Sequence, residues 1–120
     1  MAHGVGKVLI VDDDPNIRRL ARFILVDAGF DVLLAEDGLK ALEILEQERP
    51  EVIVLDLQMP VMDGRDFFHS LKPGERPHIL ILSGDHADRA RRELGADASL
   101  EKPFIPEDLV EKVAELSRAA

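Results

Sequence analysis

With 120 residues, 46% of them hydrophobic and none of them cysteine, the chain predicts a single domain over residues 1–120 with a real core, and it excludes disulfides and cysteine chemistry. The formal net charge of −9 argues against direct nucleic-acid binding, because phosphate recognition needs a basic face. No apolar run approaches the roughly 18 residues of a membrane span, so we expect a cytoplasmic protein without a membrane partner.

We expect residues 1–6 to form a loose N-terminal segment. Short apolar runs that predict strands follow it. These runs are Val8–Val11, Asp31–Ala35, Val52–Leu55, Ile79–Leu82 and a weaker one at Ala98–Leu100. Between the first two runs, apolar residues recur every three or four positions, which predicts an amphipathic helix that Asp14 caps and Gly29 ends. Four more helices are predicted, from Gly38 to before Pro50, from Gly64 to about Leu71, at His86–Leu94, and from Pro106 to about Ser117.

This alternation of strands and helices predicts an α/β fold. Continuous apolar strands that alternate with helices are typical of a parallel sheet covered on both faces. Right-handed crossovers make such a sheet doubly wound and open. Ligands of these folds bind at the carboxyl ends of the strands, so the residues that follow each strand are the first candidates for a functional site.

The predicted strand ends bring acids, a hydroxyl and an amine to one edge of the sheet. They are Asp12, Asp13 and Asp14 after the first strand, Asp56 after the third, Ser83 after the fourth and Lys102 after the fifth. Taken singly, each is also typical of an ordinary turn, a helix cap or a solvated lysine. Converging carboxylates, however, need a cation, and hard oxygen ligands select Mg²⁺ or a similar ion. The set therefore predicts a metal-assisted site, with Asp14 as the helix cap.

Four segments carry a resemblance to a known family: "VLIVDDDP", "VIVLDLQMPVMDG", "ILILSG" and "EKPF". In this order, over nearly the whole chain, they resemble the signatures of the receiver domain of two-component response regulators. The resemblance implies a flavodoxin-like fold, with a five-stranded parallel sheet of order 2-1-3-4-5 flanked by five helices. It also implies a signalling switch rather than a multiple-turnover enzyme. The donor would be a phosphohistidine on a sensor histidine kinase or a histidine phosphotransfer protein.

The resemblance further implies a role for each site residue. Four would bind Mg²⁺: the carboxylates of Asp12, Asp13 and Asp56, and the backbone carbonyl of Gln58. Asp56 would also accept the phosphoryl group, Ser83 would contact that group, and Lys102, before a cis Pro103, would pair with it. Elementary electrostatics supports these roles, because a carboxylate that attacks an anionic phosphoryl group needs positive charge nearby. The downstream partner would be another protein or a missing output domain, and the resemblance allows a phosphorylation-dependent dimer.

Two departures from the family concern how phosphorylation is read out. Receivers usually place Tyr or Phe three residues before the lysine, where this chain has Ser99. The segment of residues 83–95 is also about three residues shorter than the corresponding segment of most receivers, which is nearly one helical turn. A smaller departure is Ile105, where a Ser or Thr cap is common. We therefore expect an intact phosphorylation site whose response is concentrated in residues 84–95 rather than in packing at Ser99.

Two other functions stay open. A haloacid-dehalogenase-like phosphatase also uses a strand-end Asp nucleophile and Mg²⁺, but it needs a second Asp two residues on as general acid, where this chain has Gln58. A degenerate receiver could act as a phosphorylation-independent interaction module, although the complete site set argues against it. Turnover of a small phosphate ester would indicate the enzyme, and stoichiometric labelling would indicate the switch.

Overall fold

The computed structural model describes residues 6–59, 62–72, 74 and 76–119. These residues form five strands and five helices in strict alternation: β1 Lys7–Val11, α1 Pro15–Asp27, β2 Asp31–Ala35, α2 Gly38–Leu45, β3 Val52–Asp56, α3 Gly64–Ser70, β4 His78–Ser83, α4 Ala87–Leu94, β5 Ala98–Glu101 and α5 Pro106–Ala119. Every predicted element is present. The largest difference in bounds is at α2, which ends at Leu45, well before Pro50.

All five strands are parallel and lie in the order β2-β1-β3-β4-β5, which confirms the predicted fold. Successive side chains of a strand point to opposite faces, so each apolar run supplies two cores. One core lies between the sheet and helices α1 and α5, and it takes Val8, Ile10, Val52, Val54, Leu80 and Leu82 from the sheet. The other lies against α2, α3 and α4, and it takes Leu9, Val11, Ile53, Leu55, Ile79 and Ile81. Burial on both faces explains why the central strands are continuously apolar.

Both ends of α1 follow from local sequence. At its start, the side chain of Asp14 accepts a backbone hydrogen bond from the first turn, as an N-cap does. At its end, Gly29 adopts a φ of 99°, which glycine reaches without strain. The Gly29 N–H donates to the Val26 carbonyl, and the Phe30 N–H donates to the Leu25 carbonyl, which is the Schellman pattern. The predicted limits of this helix are confirmed, and the Asp14 side chain serves as its N-cap.

Gly6, the first described residue, is already part of the folded domain. Gly6 is buried, and its carbonyl accepts a hydrogen bond from the Asp31 N–H, so this last residue of the predicted loose lead already belongs to the sheet edge. Residues 1–5 lie outside the described residues. Among the described residues, no helix combines the length and the apolar character that crossing a membrane requires.

The shortened segment predicted from the sequence appears as a three-residue connection between β4 and α4. Its last residue, His86, adopts the left-handed conformation with a φ of 54°. This conformation is uncommon for residues other than glycine and costs roughly 1–2 kcal/mol. Helix α4 that follows has only eight residues. The chain therefore passes from Ser83 into α4 through a tight, strained turn.

Gly64 is required where α3 begins against the end of β3. A Cβ at Gly64 would lie 2.4 Å from the Asp56 carbonyl oxygen and 2.5 Å from the Leu57 Cα. We expect Gly64→Ala to lower the free energy of unfolding by about 1–3 kcal/mol, because backbone rather than a flexible side chain must move. Gly84→Ala is the matched control, since nothing lies within 4 Å of its Cβ position. Urea denaturation measures both, and equal losses of stability would contradict this account.

Candidate functional site

The register of the sheet places two carboxylates side by side. In the β1–β3 pair, Val11 lies opposite Leu55. The next residue along each strand direction is an aspartate, Asp12 after β1 and Asp56 at the end of β3. Because the strands are parallel, both side chains emerge at the same carboxyl edge. The convergence predicted from the sequence is therefore a direct result of strand register.

The same register brings the remaining predicted residues to this edge. Ser83 ends β4 and lies opposite Glu101 of β5. The backbone N–H of Lys102, one residue further, donates to the Ser83 carbonyl at 2.8 Å. The Lys102–Pro103 peptide bond is cis, as expected. Ser83 and Lys102 thus stand on the β4–β5 side of the aspartates.

The three predicted acidic ligands form one cluster. Asp12 and Asp56 are 0% and 5% exposed, whereas Asp13 is exposed, and one carboxylate oxygen from each lies within 4.8 Å of the others. Asp12 Oδ1 accepts the Asp14 N–H at 2.9 Å, and Asp56 Oδ1 accepts the Gln58 N–H at 3.2 Å. These turn hydrogen bonds fix both carboxylates. Gln58 thus contributes its N–H, while the metal-binding role of its carbonyl stays a prediction.

Lys102 supplies the positive charge next to the buried acids. Its Nζ lies 3.0 Å from Asp12 Oδ2 and 3.8 Å from Asp56 Oδ2. Asp12 Oδ2 is buried and has no hydrogen-bond partner of suitable geometry among the described residues, so its contact with the ammonium is an ion pair. One ammonium, in contact with Asp12 and Asp56, offsets the charge of a cluster of three carboxylates. The cluster therefore keeps an excess of negative charge.

Asp56 is the acid whose proton affinity is most affected by this environment. Burial raises the pKa of Asp56 to about 6, and the charge of Asp12 acts in the same direction. The Lys102 ammonium and the Gln58 N–H oppose the rise in this pKa, and Asp13 adds a smaller increase. At neutral pH the carboxylate is mainly ionised, as a nucleophile must be. Its charge in this buried position lowers the stability of the folded protein.

A hard cation fits this cluster. The donors are carboxylate oxygens, which Mg²⁺ and similar ions prefer. The buried Asp12 Oδ2 lacks a hydrogen bond, and the net charge of the cluster is negative, so a cation would satisfy both deficits. Asp12, Asp13 and Asp56 could therefore hold a metal ion.

In this conformation the Ser83 hydroxyl is hydrogen-bonded to the backbone of Asp85. The buried Ser83 hydroxyl donates to the Asp85 carbonyl at 3.1 Å and accepts from the Asp85 N–H at 3.4 Å. To contact a group on Asp56, the hydroxyl must give up the Asp85 carbonyl. Ser83 therefore connects the site to the tight turn before α4.

Sequence reasoning missed Arg18. Its guanidinium donates to the Asp12 carbonyl at 2.8 Å, and its backbone N–H donates to the Asp14 carbonyl. Arg18 thus holds the acidic turn from the first turn of α1. The available signal was its spacing, since a residue four positions after a helix cap lies one turn above the preceding loop.

Ser99, in place of the usual aromatic residue, makes a polar contact with α4. Its hydroxyl donates to Asp88 Oδ1 at 3.4 Å. Asp88 also accepts from Arg91 at 3.0 Å and pairs with Arg92 at 2.9 Å. The hydrogen bond from Arg91 is the main reason that the pKa of Asp88 lies below its usual value. Strand β5 is thus tied to the first turn of α4 by a charged side chain.

A solvent-open cleft of about 800 Å³ borders the site on the α3–α4 side. It begins at Gln58 and Ser83, and its walls mix basic with acidic side chains, namely Arg65, His86 and Arg89 with Asp63, Asp85 and Glu93. The cleft thus adjoins the site through Gln58 and Ser83, and the three clustered carboxylates do not line it.

Comparisons with known proteins show which family the chain resembles. The family model described as "Response regulator receiver domain" matches residues 8–114. A "Probable transcriptional regulator ycf27" from Cyanophora paradoxa is 41% identical over 115 residues, covering 93% of this chain and 48% of that protein. The receiver domain of the Francisella response regulator 1452 superposes with a TM-score of 0.87 at 31% identity, covering 95% of this chain and 98% of that one.

A second solved structure, the Vibrio cholerae chemotaxis protein CheY4, has a TM-score of 0.84 at 34% identity, covering 92% of this chain and 98% of that one. The chain spans about half the length of the curated relatives it matches. The family model covers most of the chain, and the chain belongs to the response regulator receiver domain family.

Proposed function

We propose that the domain is the phosphoacceptor switch of a two-component phosphorelay, in which Asp56 takes a phosphoryl group in the presence of Mg²⁺. The observation that carries this proposal is the buried Asp56 carboxylate, clustered with Asp12 and Asp13 and 3.8 Å from the Lys102 ammonium. Response regulators work with sensor kinases and output domains. The proposed donor is a phosphohistidine of a sensor kinase or histidine phosphotransfer protein, and the proposed location is the cytoplasm.

In the proposed reaction, a carboxylate oxygen of Asp56 attacks phosphorus. The phosphorus–nitrogen bond to the donor imidazole breaks, and the imidazole nitrogen keeps the electron pair. Lys102 neutralises charge on the phosphoryl oxygens, and the Ser83 hydroxyl donates a hydrogen bond to one of them. Held by Asp12, Asp13 and Asp56, Mg²⁺ would supply further positive charge against the same oxygens.

Gln58 favours a switch over a multiple-turnover phosphatase. A phosphatase of this type needs an acid two residues after the nucleophile, to protonate the leaving group. The amide of Gln58 has no acidic proton to give. Its backbone N–H instead holds Asp56 Oδ1 at 3.2 Å. We therefore propose that the domain is modified once and retains the group, rather than turning over a substrate.

Intact mass spectrometry tests this function. With Mg²⁺ and acetyl phosphate or a phosphohistidine donor, the wild type should gain one phosphoryl group, and Asp56→Asn should gain none. Asp66→Asn, an exposed aspartate on α3, should be labelled like the wild type. Undiminished labelling of Asp56→Asn would reject the assignment, and phosphate release in large excess over protein would favour the phosphatase.

The response to phosphorylation should be concentrated in residues 84–95. A phosphoryl group adds about −1.5 to −2 charge at neutral pH and attracts the Ser83 hydroxyl. When that hydroxyl leaves the Asp85 carbonyl, the strained turn at His86 loses a restraint. The Asp88 contact with Ser99 would then respond, because Asp88 lies in the first turn of α4.

Hydrogen exchange with and without beryllofluoride, a mimic of the aspartyl phosphate, measures this response. We expect protection to change in residues 84–95 of the wild type and to stay constant in Asp56→Asn. A change confined to the region of Ser99 and α5 would contradict the proposed route.

A further inference from the structure

Arg18 differs from the next arginine of α1 in what it contacts. Arg19 is exposed, whereas Arg18 is half-buried. The Arg18 guanidinium donates to the backbone carbonyl of Asp12 at 2.8 Å, and the Arg18 backbone N–H donates to the carbonyl of Asp14 at 3.0 Å. A single residue of α1 therefore holds both ends of the acidic turn, residues 12–14.

The charge of Arg18 is not used to neutralise this turn. Arg18 takes part in none of the ion pairs among the described residues, although every residue of the acidic turn is an aspartate. A guanidinium paired with Asp13 would occupy a carboxylate oxygen that a cation could bind. The hydrogen bond to a neutral carbonyl avoids this competition. The contact therefore acts on the conformation of the turn.

Holding the Asp12 carbonyl fixes the direction in which the chain continues to Asp13. The peptide group between these residues is planar, so its oxygen, its nitrogen and the Asp13 Cα move together. The preceding peptide group is restrained as well, because the Asp12 N–H donates to the Ala35 carbonyl at 3.2 Å. With both peptide groups of Asp12 restrained, the point from which the Asp13 side chain extends is set.

Asp13 depends on this restraint more than the other acids of the cluster do. The carboxylates of Asp12 and Asp56 each accept a backbone hydrogen bond, from Asp14 and Gln58. The Asp13 side chain is exposed and accepts no hydrogen bond from the described residues. One of its oxygens nevertheless lies within 4.8 Å of an oxygen of each of the other two carboxylates. Its place in the cluster is therefore set by its backbone.

We propose that Arg18 is a positioning residue for the metal site, because through the Asp12 carbonyl it holds the Asp13 carboxylate in the cluster that would bind Mg²⁺. This inference rests on the proposed phosphoacceptor function. It adds a residue that contacts neither Asp56 nor Lys102. Outer residues of this kind orient metal ligands, and their loss typically lowers metal affinity about 10- to 100-fold.

The sign of the change in Mg²⁺ affinity separates positioning from simple electrostatics. Removing a positive charge near the acidic turn should by itself tighten cation binding, whereas loss of positioning should weaken it. Arg18→Met removes the donors of a long side chain and should raise the Kd for Mg²⁺ about tenfold, as measured by NMR titration of the backbone amides. Arg19→Met is the matched control, because it removes the same charge from the next residue and should leave the Kd unchanged or slightly lower.

A double-mutant cycle tests whether Arg18 acts through Asp13. Asp13→Asn should weaken Mg²⁺ binding, and adding Arg18→Met should cause little further loss, because the ligand that Arg18 positions is already gone. Arg18→Lys keeps the charge and one donor, so its Kd should lie between those of the wild type and Arg18→Met. Labelling of Arg18→Met should be slow at low Mg²⁺ and approach the wild-type rate at saturating Mg²⁺, since Arg18 does not contact Asp56.

These measurements separate failure of this inference from failure of the proposed function. Thermal unfolding without metal shows whether Arg18→Met is folded, and Arg18→Lys carries the test if it is not. An Arg18→Met Kd equal to or below that of the wild type, with normal labelling of the wild type, would overturn the positioning role alone. A wild type that binds Mg²⁺ but gains no phosphoryl group would reject the proposed function, and the Kd comparison would still decide the role of Arg18. A wild type that binds no Mg²⁺ would overturn both.

Discussion

Asp56→Asn is expected to stabilise the metal-free protein at neutral pH by about 3 kcal/mol. The reason is that burial and the Asp12 charge raise the pKa of Asp56 to about 6 from 3.8, so the wild type folds with an ionised group in an unfavourable place. An asparagine has nearly the same shape and carries no charge. Chemical denaturation in the presence of a chelator measures the difference.

The pH dependence has a definite sign. Because the pKa of Asp56 is higher in the folded state, the folded protein binds the proton more tightly. This group therefore contributes stability that is present below about pH 4 and is lost as the pH rises to about 6. The difference between Asp56→Asn and the wild type should thus disappear below about pH 4 and stay constant above about pH 7.

Two comparisons test the cause of this gain. Asp13→Asn should stabilise the metal-free protein much less, because Asp13 is exposed and has a smaller effect on the Asp56 pKa than burial, Asp12, Lys102 and the Gln58 N–H have. Added Mg²⁺ should stabilise the wild type more than Asp56→Asn, since a ligand stabilises the state that binds it. An Asp56→Asn protein no more stable than the wild type at any pH would refute the account.

Lys102→Met is expected to have the opposite effect. Its ammonium lies 3.0 Å from the buried Asp12 carboxylate and 3.8 Å from Asp56, and it is the cation that offsets their charge. Removing one partner of a buried ion pair leaves an uncompensated charge. We expect a loss of about 2–3 kcal/mol of stability in the metal-free protein, less than for a fully buried pair because Lys102 is 22% exposed. Labelling of Asp56 should also slow markedly.

Lys40→Met is the matched control, because Lys40 pairs with Glu43 on the surface at 3.8 Å. A pair of that kind contributes little, so a change within about 0.5 kcal/mol is expected. Lowering the pH should also reduce the loss caused by Lys102→Met, since protonated Asp56 no longer needs a counter-charge. Equal losses for the two lysine variants would contradict the role given to Lys102.

The sequence was sufficient for the strands, the helices and the expectation that the strand-end residues meet at one edge of the sheet. Strand runs buried on both faces are continuously apolar, and helix ends such as Asp14 and Gly29 carry their own local signals. Parallel strands of a doubly wound sheet end at one edge, so Asp12, Asp56 and Lys102 could be placed together without coordinates. These features depend on local pattern and on topology, and both can be recognised from the order of the residues in the sequence.

Only the tertiary structure decided which atoms meet. The Arg18 contact with the Asp12 carbonyl, the Ser99 contact with Asp88 and the left-handed turn at His86 depend on side-chain rotamers and on loop geometry. The spacing of Arg18 places it one turn above the acidic turn, but its contact with a particular carbonyl, like the other two features, is set by a single pairing or a single dihedral angle. The exposure of Phe23 is similar: its spacing on α1 does not reveal that α5 leaves it uncovered beside an open groove. Local pattern thus placed the strand-end residues at one edge of the sheet, whereas packing between separate elements decided the restraints on Asp12, the contact that Ser99 makes with α4, and the exposure of Phe23 beside the groove.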